Sequence, residues 1–120
     1  HVPLTAETQR IIGKRELELM QPHSFLINTT RGPTVDPGAL YEAVKTGQIA
    51  GAALDVTDPE PIPFDDPLLS LPNVVISPHI ASASSSTVRK MGELTAQNVI
   101  GALSGTAMPS CVNPEAAANR

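Results

Sequence analysis

Three short stretches of this 120-residue chain carry ionisable side chains in settings suited to anion and proton chemistry. Arg31 lies in Asn28-Thr29-Thr30-Arg31-Gly32, Glu60 in Asp58-Pro59-Glu60-Pro61, and His79 in Ser77-Pro78-His79-Ile80. Each follows a short apolar run of the kind that forms a buried strand. Parallel-sheet enzymes collect their chemistry just beyond the carboxyl ends of strands. A guanidinium presents a planar fork that matches a carboxylate two-fold. A carboxylate beside a histidine fixes the ring tautomer and favours the protonated ring, leaving the other nitrogen to act as general acid or base. Converging, the three would bind a carboxylate and deliver a proton beside it. Asp55 ends the run Ala52-Ala53-Leu54, where an acid either accepts a hydrogen bond from a ligand or closes a turn. Taken singly, each residue has an ordinary reading: a surface or helix-capping arginine, a solvated loop acid, a turn histidine. Only a fold that gathers them makes a site.

The intervening segments supply such a fold. His1 to Thr8 reads as the end of a strand and a turn, and Lys14 to Met20 as a short helix broken by Pro22. Ser24 to Ile27 is a strand-type apolar run. Asp36-Pro37 is a helix start, with Asp at the N-cap and Pro at the first helical position. Leu40, Ala43 and Val44 give that helix an apolar face, and Gly47 stops it. Ile49 to Leu54 and Asn73 to Ile76 read as further strands. Between them lies the long proline-rich loop Asp55 to Leu68, of a length that is usually functional or disordered. Ser84 to Leu103 is the longest helix, with Val88, Gly92, Thr95, Val99 and Leu103 along one side. Gly105 to Arg120 reads as a surface tail. Strands alternating with helices predict an α/β fold with a parallel sheet.

Composition narrows the function. One tyrosine and two phenylalanines leave an aliphatic core, which suits a parallel sheet between helices. A net charge of −4, without a basic cluster, argues against nucleic acid or an anionic membrane surface as partner. No apolar run approaches the ~20 residues of a membrane span. Cys111 is the single cysteine, so no internal disulfide forms, and its Pro/Ser-rich setting predicts an inert thiol. The acidic residues Asp58, Asp65 and Asp66 lack metal-ligand spacing, and no metal is expected. No Gly-x-Ser-x-Gly elbow occurs. The Gly-x-Gly-x-x-Gly phosphate loop is likewise absent, so a doubly wound nucleotide-binding sheet would be represented by its second half.

At these residues the chain resembles the D-isomer-specific 2-hydroxyacid dehydrogenase family. Val2 to Thr8 is similar to its Pro-Leu-Thr-x-x-Thr segment, Asn28 to Gly32 to its arginine loop, Ala53 to Pro61 to its Asp-Val-x-x-x-Glu-Pro signature, and Pro78-His79-Ile80 to its histidine motif. Glu60 to Pro63, Asp66 to Leu71 and Gly105 to Ser110 are most similar to the family's reductases of glyoxylate and hydroxypyruvate.

The resemblance implies the second half of a doubly wound, Rossmann-like parallel sheet with flanking helices. Residues 1–104 would form the carboxyl-terminal part of the NAD(P)-binding domain and 105–120 a tail on the substrate domain. Arg31 would bind the carboxylate of a small 2-oxo acid, His79 would donate the proton, and Glu60 would pair with His79. Pro3, Thr29, Thr30, Asp55, His79, Ala81 and Ser82 would line NADPH or NADH, with Asp55 beside the nicotinamide carboxamide. Many relatives have glycine where this chain has Ala81, a methyl group that would crowd substrate or cofactor. A cytoplasmic homodimer is implied for the full-length protein, and little activity for a truncated chain. A non-catalytic, corepressor-like dinucleotide sensor and an inactive pseudoenzyme are the alternatives from a different class.

Overall fold

Thr5 and Thr8 fold the start of the chain into a turn. In the computed structural model, which describes residues 1–115, the Thr5 amide donates to Thr8 Oγ1 at 2.8 Å and the Thr8 hydroxyl to the Pro3 carbonyl at 2.6 Å. The strand end expected at His1 to Thr8 is therefore not formed. Hydroxyls that capture nearby backbone groups offer them an alternative to a ladder.

Helix α1 covers Lys14–Glu18 and buries Leu17. It is shorter than the expected Lys14 to Met20 because Leu19 and Met20 close tight turns onto Glu16 and Leu17. Strand β1 (Phe25–Asn28) follows. Helix α2 (Pro37–Lys45) begins as its first residues dictate: Asp36 accepts from the Ala39 amide at 2.9 Å and Pro37 needs no amide partner. Beyond it Gly47 takes a φ of 73°, which glycine adopts without strain. Strands β2 (Gly51–Leu54) and β3 (Val74–Ile76) complete the sheet. The proline-rich connection between them is ordered by a single 3-10 turn, Pro67–Ser70, whose N-cap Asp66 accepts from the Leu68 amide at 2.9 Å.

The sheet is parallel in the order β1-β2-β3. Its register aligns Leu26, Ala52 and Val74 in one row and Ile27, Ala53 and Val75 in the next. Successive side chains point to opposite faces. The row containing Leu26, with Leu54 and Ile76, packs on a core of Leu17, Val35, Leu40, Ala43, Val44, Ile49 and Leu68. On the other face Phe25, Ile27 and Val75 remain exposed.

The chain divides into two compact units, His1–Ala81 and Ser82–Arg120. The second is built on helix α3 (Ser85–Ser104), capped by the Ser84 hydroxyl and ended by Gly105 at a φ of 66°. The expected surface tail turns back on this helix: the Ser110 amide donates to Asn98 Oδ1 at 2.9 Å, and the Ala107 backbone packs so closely on Gly101 that a Cβ there would stand 2.9 Å from the carbonyl oxygen. Residues 116–120 of that tail lie outside the described residues. Among the described residues no helix is long and apolar enough to cross a membrane.

Candidate active site

The arginine loop is held by uncharged side chains. Asn28, buried at the end of β1, accepts from the Thr30 amide at 3.0 Å and hydroxyl at 2.8 Å and donates to the Arg31 carbonyl at 3.0 Å. The Thr34 hydroxyl donates to that same carbonyl at 2.7 Å. The Arg31 backbone is thus fixed from both sides. Its side chain is exposed, touches the Thr30 carbonyl through Nη1 at 2.6 Å, and pairs with no carboxylate among the described residues.

The histidine loop is held by a charge. Asp55, buried at the end of β2, accepts from the Ser77 hydroxyl at 2.6 Å and the Ile80 amide at 2.9 Å on Oδ1, and from the Ala81 amide at 2.8 Å on Oδ2. The Ser77 hydroxyl above all, with the two amides and the charge of His79, holds this carboxyl below its ordinary value near 3.8, although burial opposes the shift. Between the tethered residues His79 takes a φ of 54°, in the left-handed region that a side chain seldom occupies. Its Nδ1 meets Glu60 Oε1 at 2.6 Å, so a carboxylate from the β2–β3 loop and an imidazole from beyond β3 form one unit. Both side chains remain partly open to solvent, 47% for His79 and 41% for Glu60, as a group that must meet a substrate requires.

These loops border three depressions. Pro3, Thr29, Thr30 and Arg31 line a cleft of about 540 Å³. Asp55, Glu60 and His79 line another of about 510 Å³, with Ile62, Leu69 and Ile76 as its apolar wall. A slot of about 220 Å³ lies over the carboxyl ends of the strands, between Ile27, Ala53, Val75 and Ile80, with Thr29, Asp55 and Ala81 at its margin. The expected cofactor residues Thr29, Asp55 and Ala81 therefore meet at one slot, Pro3 and Thr30 share the arginine cleft, and Ser82 opens the second unit. The depression is open and largely apolar, so a flat ring could lie against it, and Asp55, with three of about four acceptor positions filled, could offer the fourth to a ring substituent.

The sequence pattern did not single out Asn28, Thr34 and Ser77, which set the two loops. The signal for Asn28 was available: an Asn two residues before a Thr, at the end of an apolar run, is an Asx-turn pattern.

The match to known proteins follows the same residues. Residues 1–81 match the family model described as D-isomer specific 2-hydroxyacid dehydrogenase, NAD binding domain. A glyoxylate reductase of Korarchaeum cryptofilum is 53% identical over 115 residues, which is 96% of this chain and 35% of that protein. The crystal structure of D-lactate dehydrogenase with NAD+ from Lactobacillus jensenii superposes with a TM-score of 0.85 at 34% identity, covering 93% of this chain and 38% of the other. That of NADPH-dependent glyoxylate/hydroxypyruvate reductase from Sinorhizobium meliloti, in complex with NADP and malonate, gives 0.74 at 44% identity, covering 83% and 31%. The chain belongs to the D-isomer-specific 2-hydroxyacid dehydrogenases, and its three-stranded parallel sheet is part of their Rossmann-like NAD-binding domain. It spans about a third of the length of these relatives.

Proposed function

We propose that the intact protein reduces small 2-oxo acids, glyoxylate and hydroxypyruvate, to D-2-hydroxy acids with NADPH or NADH. The observation that carries this reading is the 2.6 Å pairing of Glu60 with His79, beside a loop whose arginine pairs with no carboxylate among the described residues. Arg31 binds the substrate carboxylate as a two-pronged donor and draws electron density from the adjacent oxo group. Glu60 accepts from Nδ1 of His79 and thereby leaves Nε2 to face the oxo oxygen and protonate it. Thr29, Asp55, Ala81 and Ser82 would hold the nicotinamide end of the dinucleotide, with Pro3 and Thr30 alongside. When bound, the cofactor supplies the hydride. The similarity to glyoxylate and hydroxypyruvate reductases supports this choice of substrate.

The same reading assigns residues 1–104 to the cofactor domain and 105–120 to the substrate domain or its surface. The 120-residue chain lacks a Gly-x-Gly-x-x-Gly loop. By itself it is expected to grip the dinucleotide weakly and to turn over little, with activity residing in the full-length homodimer.

The test is oxidation of NADPH and NADH by the intact protein with glyoxylate and with hydroxypyruvate. Turnover that His79→Ala lowers by about 10²- to 10⁴-fold is expected of a lost general acid. No turnover with any small 2-oxo acid would overturn the reading.

A further inference from the structure

We infer that Gly32 is a positioning residue that sets the spacing between the anion-binding loop and the acid loop. Gly32 follows Arg31 directly and is buried. A Cβ built on it would overlap the carbonyl of Thr57 and stand 2.8 Å from the Asp58 nitrogen. The main chains of the two loops therefore lie against each other with no room for a methyl group between them. All the obstructing atoms are backbone, so no rotamer change relieves the overlap. This contact joins two segments that no ladder connects, one residue from Arg31 on one side and, at Thr57, three from Glu60 on the other.

The acid loop is stiff at this point. The Thr57 hydroxyl donates to the Pro59 carbonyl at 2.8 Å, closing the turn that presents Glu60. The Thr34 amide and hydroxyl both donate to the Arg31 carbonyl and stiffen the other partner. With both sides braced, an added side chain at Gly32 separates the loops rather than deforming one of them. The consequence falls on the distance between the Arg31 fork and the Glu60–His79 pair. A substrate whose carboxylate is directly bonded to its oxo carbon tolerates little error in that distance.

The inference rests on the proposed 2-oxo acid reductase. The experiment compares the intact protein with Gly32→Ala, Thr57→Val and a Gly38→Ala control, where a Cβ meets nothing closer than 3.5 Å. Oxalate, a small unreactive carboxylate, is titrated by calorimetry in the presence of dinucleotide, and kcat and KM are measured with glyoxylate. Gly32→Ala is expected to weaken oxalate binding and lower kcat/KM by about tenfold to a hundredfold, largely through KM, with dinucleotide affinity unchanged. Gly38→Ala should match the parent in all three. Thr57→Val keeps the shape of the side chain but removes its donor, and should shift the same two quantities by a few-fold. If Gly32→Ala does not fold, Thr57→Val decides: a few-fold rise in KM supports the inference and an unchanged KM overturns it. Oxalate binding and KM unchanged in a folded Gly32→Ala overturn it directly. A parent protein that neither binds oxalate nor reduces glyoxylate would instead remove the proposed function, and the inference with it.

Discussion

The two loops at the carboxyl ends of the strands are built in opposite ways. The arginine loop is fixed by neutral donors and acceptors from Asn28 and Thr34, and the charged side chain it carries pairs with no carboxylate among the described residues. The histidine loop is fixed by the charge of Asp55, and the side chain it carries is already paired with Glu60. The difference matches two kinds of chemistry. A site that receives an anion keeps its cation unpaired, since an internal carboxylate would compete with the ligand. A site that delivers a proton needs its tautomer settled before the substrate arrives.

Removing the functional group of each loop breaks the comparison most severely. His79→Gln keeps a polar side chain but no transferable proton, and kcat with glyoxylate should fall by about 10²- to 10⁴-fold. Arg31→Gln removes the fork. Steady-state kinetics should show KM rising by roughly tenfold to a hundredfold, the scale of a charged hydrogen-bonded contact, with a smaller effect on kcat. A variant that lowered kcat and left KM alone would show that Arg31 does not hold the carboxylate.

The tethers come next. Asp55→Asn keeps an acceptor for Ser77 and Ile80 but sets its amide NH2, a donor, against the Ala81 N–H. Activity should fall less than for His79→Gln, through kcat. The folded carboxyl of Asp55 sits below its ordinary value near 3.8, so the stability it contributes is fully present above that value and is lost as pH falls through the lower, folded value. Denaturant midpoints between pH 5 and pH 3 should therefore decline more steeply in the parent than in Asp55→Asn. Equal slopes would mean that the carboxyl is not held in its ionised form. The smallest effect belongs to a helix cap whose side chain bonds to neither Arg31 nor the Glu60–His79 pair. Asp36→Ala removes the cap of α2 and should cost about 1 kcal/mol in denaturant titration while kcat is unchanged.

Much of this was legible in the residues. Asp36-Pro37 and Gly47 bounded α2 because capping is local chemistry, readable without a fold. The apolar runs ending at Asn28, Leu54 and Ile76 became adjacent parallel strands, which placed Arg31, Glu60 and His79 at one end of the sheet. The Asp55 tether and the Gly32 contact were not legible. Asp55 finds its partners 22 to 26 residues away, and nothing in the spacing shows that its carboxylate would close on Ser77, Ile80 and Ala81. Gly32 stood in the arginine stretch without a role of its own, because the Thr57 backbone that excludes a side chain there is distant in sequence. Of the strand end and turn expected over His1 to Thr8, only the turn formed, closed by the threonine hydroxyls. The tail after Gly105 had no apolar period to betray that its backbone would fold onto Gly101 and Asn98.

The central claim is that proton delivery is assembled in advance around His79 while anion binding waits for the substrate. Single-turnover oxidation of bound NADPH by glyoxylate, in the intact protein and in His79→Gln, tests it most directly. A rate at least a hundredfold slower is expected in His79→Gln, with the dissociation constant of NADPH unchanged. Equal rates in the two proteins would contradict it and favour a dinucleotide-binding protein without catalytic use of this histidine.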